Sequence, residues 1–168
     1  MATSEWWQRG PVDGVPAVLQ PVAHMLLQIG ESVRELTDGL TETEWNARPA
    51  NVASAAFHVR HIIGVLDRLF TYARGDALSA EQFAALRSEG AALALDDAGA
   101  LLVQLDAQIA SALAELRTID IAILPAVRTI GRAKLPSTVI GCLVHGAEHG
   151  MRHLGQLSVT THIVRRSV

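Results

Sequence analysis

The sequence predicts an all-α four-helix bundle, and three observations carry that prediction. Apolar residues recur at spacings of three and four through four long stretches. Residues that start and stop helices flank those stretches. Only one connection is rich enough in β-branched residues to suggest strand. Amphipathic helices of this kind bury their apolar stripes against one another. A chain of 168 residues and 18.0 kDa suits one domain, residues 1–168, with a substantial core.

The first helix follows the irregular entry "GPVDGVPAVLQP" and runs to about Leu40, with Pro21 in its first turns. Its stripe is Val18, Leu19, Val22, Met25, Leu26, Ile29, Val33 and Leu36. A turn at Arg48-Pro49 precedes a second helix from about Val52 to Arg74, closed by Gly75, with Phe57, Val65, Leu66, Leu69 and Phe70 on its apolar face. Asp67, Arg68 and Arg74 read as a solvated face of that helix.

"LSAEQFAALRSEG" reads as a short extra helix, with Ser79 as N-cap and Gly90 ending it. A third long helix spans about Asp96 to Leu116, acidic at its start and followed by Arg117, as the macrodipole prefers. "TIDIAILPAVRTIGRAKLPST" breaks the helical period and is compatible with a short hairpin. The fourth helix starts near Ser137 or Thr138 and continues to about Val164.

Composition narrows the classes of function. The chain is 49% hydrophobic with a mean hydropathy of +0.25, yet no uninterrupted apolar run reaches the roughly 20 residues of a spanning helix. No membrane association is expected. A net charge of −3 and no basic patch argue against nucleic acid as a partner. One cysteine, Cys142, and an N-terminus "MATSEWWQRG" unlike a secretion signal fit a cytoplasmic location. Trp6 and Trp7 in that irregular segment call for cover, from the bundle's own side in the simplest case or else from another subunit.

Chemistry concentrates in "LVHGAEHGMRHLGQL", where His145, His149 and His153 stand four apart and share a stripe with Cys142. Leu143, Val144, Ala147, Met151, Leu154 and Leu157 flank them and need the core. Buried imidazoles must find partners for both nitrogens, and a metal ion is the simplest partner for a ladder of them.

Two imidazoles at i and i+4 can converge on one ion, but the first and third of the ladder are about 12 Å apart along the axis. One pairing joins His145 and His149 with Glu148 as base, since "HGAEH" fits the H-x-x-E-H pattern of a metal-dependent hydrolase. No Asp or Glu follows Glu148 to serve as that class's downstream ligand. The other pairing joins His149 and His153 with a third ligand from "FHVRH" in the second helix, His58 or His61. Gly146 and Gly150 beside the ladder suggest close approach to this helix.

"AEHGMRHLGQL", with "SAAFHVRHI", "LTETEWNARP" and "LPSTV", resembles the DinB superfamily of small bacterial four-helix proteins, from about Leu40 onward. The resemblance implies His61, His149 and His153 as the metal triad, with Ser54 marking the spacing to His61. It also implies an up-down-down-up order of helices, a frequent homodimer, and one divalent transition metal such as zinc or nickel.

Relatives of known activity are mostly transferases or isomerases that use a low-molecular-weight thiol. The expected function is therefore metal-dependent, thiol-dependent chemistry on a small-molecule substrate. The alternatives are a non-catalytic, stress-associated metal- or ligand-binding bundle and a metal-dependent hydrolase. His58, His145 and His24 are expected around the cleft, His162 in solvent, and Arg152 elsewhere on its helix. Gly150 stands where some relatives carry glutamate, so that position supplies no base.

Overall fold

A computed structural model describes residues 4–166; Met1, Ala2 and Thr3 of the segment compared with a secretion signal lie outside it. Among the described residues the chain is mostly helical with one small sheet. The helices are α1 (Gln20–Thr37), α2 (Glu42–Asn46), α3 (Ala55–Arg74), α4 (Ala80–Ser88), α5 (Leu95–Thr118) and α6 (Val139–Val164). Strands β1 (Val127–Ile130) and β2 (Leu135–Thr138) form an antiparallel pair in the connection before α6.

The boundaries follow local chemistry. Pro21 occupies the first turn of α1, where its missing N–H costs nothing. α3 begins at Ala55, three residues later than the sequence suggested, because the Ser54 hydroxyl accepts from the Phe57 N–H and caps the helix there. Val52 lies in extended backbone and is exposed. Gly75 closes α3 at φ 90°, a left-handed conformation that suits glycine.

Ser79 caps α4 in a reciprocal box with Gln82. That helix ends at Ser88, and Gly90 lies in the following turn with no positive φ. Thr138 ends β2 and caps α6 by accepting from the Gly141 N–H. The helix α2, not anticipated from the sequence, is held by a capping box between Thr41 and Glu44 and buries Trp45.

One hydrophobic cluster joins the long helices. α1 contributes Val22, Leu26, Ile29 and Val33; α3 contributes Val59, Ile62, Leu66 and Phe70; α5 contributes Leu105 and Leu116; α6 contributes Leu143 and Leu157. α6 packs against α1 and α3, and α5 also packs against both. Val18 and Val144, read from the sequence as facing the core, are instead exposed. Trp6 is partly covered, with its backbone N–H donating to Gln28 Oε1, whereas Trp7 is 63% exposed and lacks the cover expected of it. No described helix is long and apolar enough to cross a membrane.

The reading of Arg68 as part of a solvated face is corrected. Arg68 is buried, and its guanidinium donates to Glu89 Oε1 at 2.9 Å. The reason is the docking of α4 on α3, which carries the residue after Ser88 down onto the helix surface. Asp67 is likewise half-buried and accepts from Gln82 of α4, while Arg74 stays on the surface with Glu115.

Candidate metal centre

α3 and α6 bring four imidazoles together. His58 and His61 lie one turn apart on α3, and His149 and His153 one turn apart on α6. His61 Nε2 lies 3.0 Å from His149 Nε2, and His58 Nδ1 lies 3.0 Å from His153 Nδ1. The rings of His61 and His153 are 4.3 Å apart between centroids, and those of His149 and His153 are 4.8 Å apart. One nitrogen from each of His61, His149 and His153 falls within 4.8 Å of the others.

Nitrogen spacing bears on whether such a set fits an ion. Two imidazole nitrogens on a tetrahedral zinc, each at roughly 2.0–2.1 Å, stand about 3.3 Å apart. The 3.0 Å between His61 and His149 is close to that value. His61 Nδ1 faces Glu89 Oε2 at 2.7 Å; the ionised carboxylate only accepts, so Nδ1 carries a proton and Nε2 is the nitrogen turned to the cluster. His149 Nδ1 is buried without a hydrogen-bond partner among the described residues, so that ring gains little from protein partners alone. His153 Nδ1 is engaged by His58, which leaves Nε2 as its free nitrogen. The donor set therefore fits a borderline-soft divalent ion.

Burial, with neighbouring charge behind it, favours the neutral forms of His58, His149 and His153. Burial, followed by the neighbouring His61, His149 and His58 imidazoles and the Arg152 guanidinium, pushes His153 down to about 4. Burial and then His61 push His58 down to about 4, against a backbone hydrogen bond at Ala53 that works the other way. His149 is lowered by burial first and then by His61 and His145. Burial works against the Glu89 carboxylate, yet hydrogen bonds from His61 and Arg68 outweigh it and hold its pKa below the ordinary value. Neutral His149 and His153 imidazoles are in the protonation state that a cation needs of its ligands.

The remaining histidines lie elsewhere. The His145 side chain is 52% exposed, and its Nδ1 is 3.3 Å from Glu148 Oε2. Its ring stands edge-on to His149 but is not part of the three-nitrogen group. Glu148 also accepts from Arg152 and points along the exposed side of α6. His24 Nε2 donates to the Gly10 carbonyl at 3.0 Å and lines a separate recess with Trp6 and Met151. His162 is exposed and bonds within its own helix. Cys142 is fully buried near Ser137, and burial pushes its thiol pKa up.

The glycines flanking the ladder admit neighbouring helices. A Cβ at Gly150 would come within 2.7 Å of Ile29 Cδ1 of α1, whereas one at Gly146 would make ordinary contact with Leu69 of α3.

Two contributors had no clear signal in the sequence. Phe57, read as a core residue, stacks on His61 at 5.3 Å with an interplanar angle of 11°. A position four residues before a histidine on one helix was the available hint. Glu89 lies 28 residues from His61 with no motif to join them. Beside His58 a groove of about 520 Å³ opens between Val52, Arg152, Gln156, Val159 and Thr160.

The sequence model described as "DinB superfamily" matches residues 25–157. The crystal structure of a conserved protein from Enterococcus faecalis has a similar fold, with a TM-score of 0.72 and 21% sequence identity. The match covers 88% of this chain and 96% of that one. No curated protein matches the sequence.

Proposed function

The chain belongs to the DinB superfamily, and from that premise we propose that it holds one divalent transition-metal ion, zinc or nickel, on His61, His149 and His153. We further propose that it acts on small molecules by thiol-dependent transfer or isomerisation. The observation that carries this reading is the meeting of three imidazoles from two helices, one nitrogen from each within 4.8 Å. Bound there, such an ion would favour a coordinated thiol in its thiolate form and lower the pKa of bound water to near 7.

The chain's own residues define the rest. Glu89 holds the His61 proton on Nδ1, and Phe57 covers one face of that ring. The groove beside His58 has the size of a small-molecule site and offers Arg152 and Gln156 at its polar edge. Glu89, which touches His61, and Glu148, which touches His145, are engaged by Arg68 and Arg152 respectively. That arrangement favours a nucleophile arriving with its own ionisable group, such as a low-molecular-weight thiol, over water activated by a protein carboxylate.

The up-down-down-up order belongs to the same reading, and pairwise contacts support it. Along α1, Gly30 neighbours Ile109 and Arg34 pairs with Asp106, so numbers rise on one helix as they fall on α5. His58 with His153 and His61 with His149 give the same opposition between α3 and α6. Gly150 against Ile29, and Arg165 donating to the Leu36 and Asp38 carbonyls, make α1 and α6 run together. Arg60 against Ala91 and Arg74 against Glu115 do the same for α3 and α5.

The test is spectroscopic. Cobalt-loaded protein should develop a sulfur-to-metal charge-transfer band with glutathione, mycothiol or bacillithiol at about millimolar concentration, and His61→Ala should abolish it. No band with any of the three would contradict the thiol reading and favour a metal-dependent ligand-binding bundle without turnover.

A further inference from the structure

We propose that Glu89 is the positioning residue of this centre: its carboxylate, delivered by α4 and fixed by Arg68, locks His61 with its proton on Nδ1 and aims Nε2 at His149. The inference rests on the metal reading above for its consequence but on separate geometry for its substance. His61 Nδ1 lies 2.7 Å from Glu89 Oε2, and the other carboxylate oxygen accepts from Arg68 at 2.9 Å. The Glu89 side chain is only 7% exposed, so water offers His61 little competition for that contact.

The surroundings are shaped to admit this pair. Gly64 lies on α3 between His61 and Arg68, and a Cβ there would fall 2.5 Å from Arg68 Nη1 and 2.7 Å from Glu89 Oε1. Only a residue without a side chain leaves room for the two charged groups to meet against the helix.

α4 itself buries none of its residues. It is held at its N-terminal end by Gln82, which donates to Asp67 Oδ2 and Thr71 Oγ1 of α3, and just past its C-terminal end by Glu89. A short helix whose one inward aromatic, Phe83, is only partly buried, and which polar contacts pin to α3 at both ends, is hard to account for as core. It is well suited to carrying one carboxylate to one imidazole.

A carboxylate on the far nitrogen of a metal-binding imidazole fixes tautomer and ring orientation and raises ligand basicity, and its loss typically costs 10–100-fold in metal affinity. Arg68 confines the carboxylate to the orientation that His61 needs and keeps it ionised.

The experiment combines zinc affinity by competition titration with long-range proton–nitrogen spectra of the His61 ring in metal-free protein. The wild type should show His61 protonated at Nδ1. Glu89→Gln should mix the tautomers and weaken zinc binding about 10–100-fold, and Glu89→Asp, which keeps the charge but withdraws it, should fall between. Gln82→Ala, which loosens α4 but leaves the Glu89 contacts to His61 and Arg68 in place, should weaken zinc binding by less than Glu89→Gln.

A wild-type His61 protonated at Nε2 would overturn the proposal. So would a Glu89→Gln protein of unchanged tautomer and affinity, or a Gln82→Ala protein weakened as much as Glu89→Gln. If wild-type protein takes up no zinc, the metal reading fails and the tautomer measurement alone decides the role of Glu89.

Discussion

His58 Nδ1 and His153 Nδ1 face each other at 3.0 Å, so one ring must donate and the other accept. His58 is 3% exposed, so solvent competes little for that contact. Removing it should free the His153 ring to rotate without removing a nitrogen of the three-histidine group. His58→Ala is therefore expected to weaken zinc binding by about 10–100-fold in a competition titration. Unchanged affinity would deny His58 any orienting role, and complete loss would make it a ligand.

Acid should destabilise the metal-free protein in a defined window. His58 and His153 are both pushed down to about 4 from an ordinary 6.5. Between those values the unfolded chain binds protons that the fold refuses, so stability is full above about pH 6.5 and falls progressively toward about pH 4. Carboxylates with lowered pKa values, Glu89 among them, add their own loss below their ordinary 4.5. Urea unfolding of metal-free protein at several pH values should show the decline beginning near pH 6.5, and His58→Phe should make it shallower. A flat profile down to pH 5 would contradict the burial of neutral imidazoles.

Two glycine substitutions inside helices should act in opposite directions. At Gly64 a methyl group would collide with the buried Arg68 and Glu89 pair, and the loss should exceed the roughly 1 kcal/mol that alanine gains over glycine in a helix. At Gly155 on α6 nothing lies within 4 Å of an added Cβ, so Gly155→Ala should stabilise by up to about 1 kcal/mol. Thermal unfolding of both variants checks the contrast. Equal effects would mean that the ion pair yields freely.

The parts of this structure written into short stretches of chain could be read from the sequence. The four long helices announce themselves by apolar spacing, Ser79, Gly75 and Thr138 mark ends by local hydrogen bonding or backbone freedom, and the hairpin follows from β-branched residues around Gly131. The i and i+4 spacing of His149 and His153 is local in the same sense, and the family resemblance pointed to His61. What escaped depends on distant segments meeting. α2 is too short for a periodic stripe, although its capping box was present in "TETE". Arg68 looked like a surface charge because its partner arrives from Glu89 after a change of direction in the chain. Trp7 and Val144 show the converse, apolar residues that the final packing leaves outside.

The central claim is that His61, His149 and His153 together hold one ion, and metal content tests it most directly. Protein purified without a histidine tag should carry about one zinc or nickel per chain by elemental analysis, or take up one when supplied. His61→Ala, His149→Ala and His153→Ala should each abolish tight uptake, while His145→Ala, which alters a mostly exposed neighbour, should weaken it by about 10–100-fold at most. Wild-type protein that binds neither metal at neutral pH, or a His153→Ala protein that keeps its ion while His145→Ala loses it, would contradict the account.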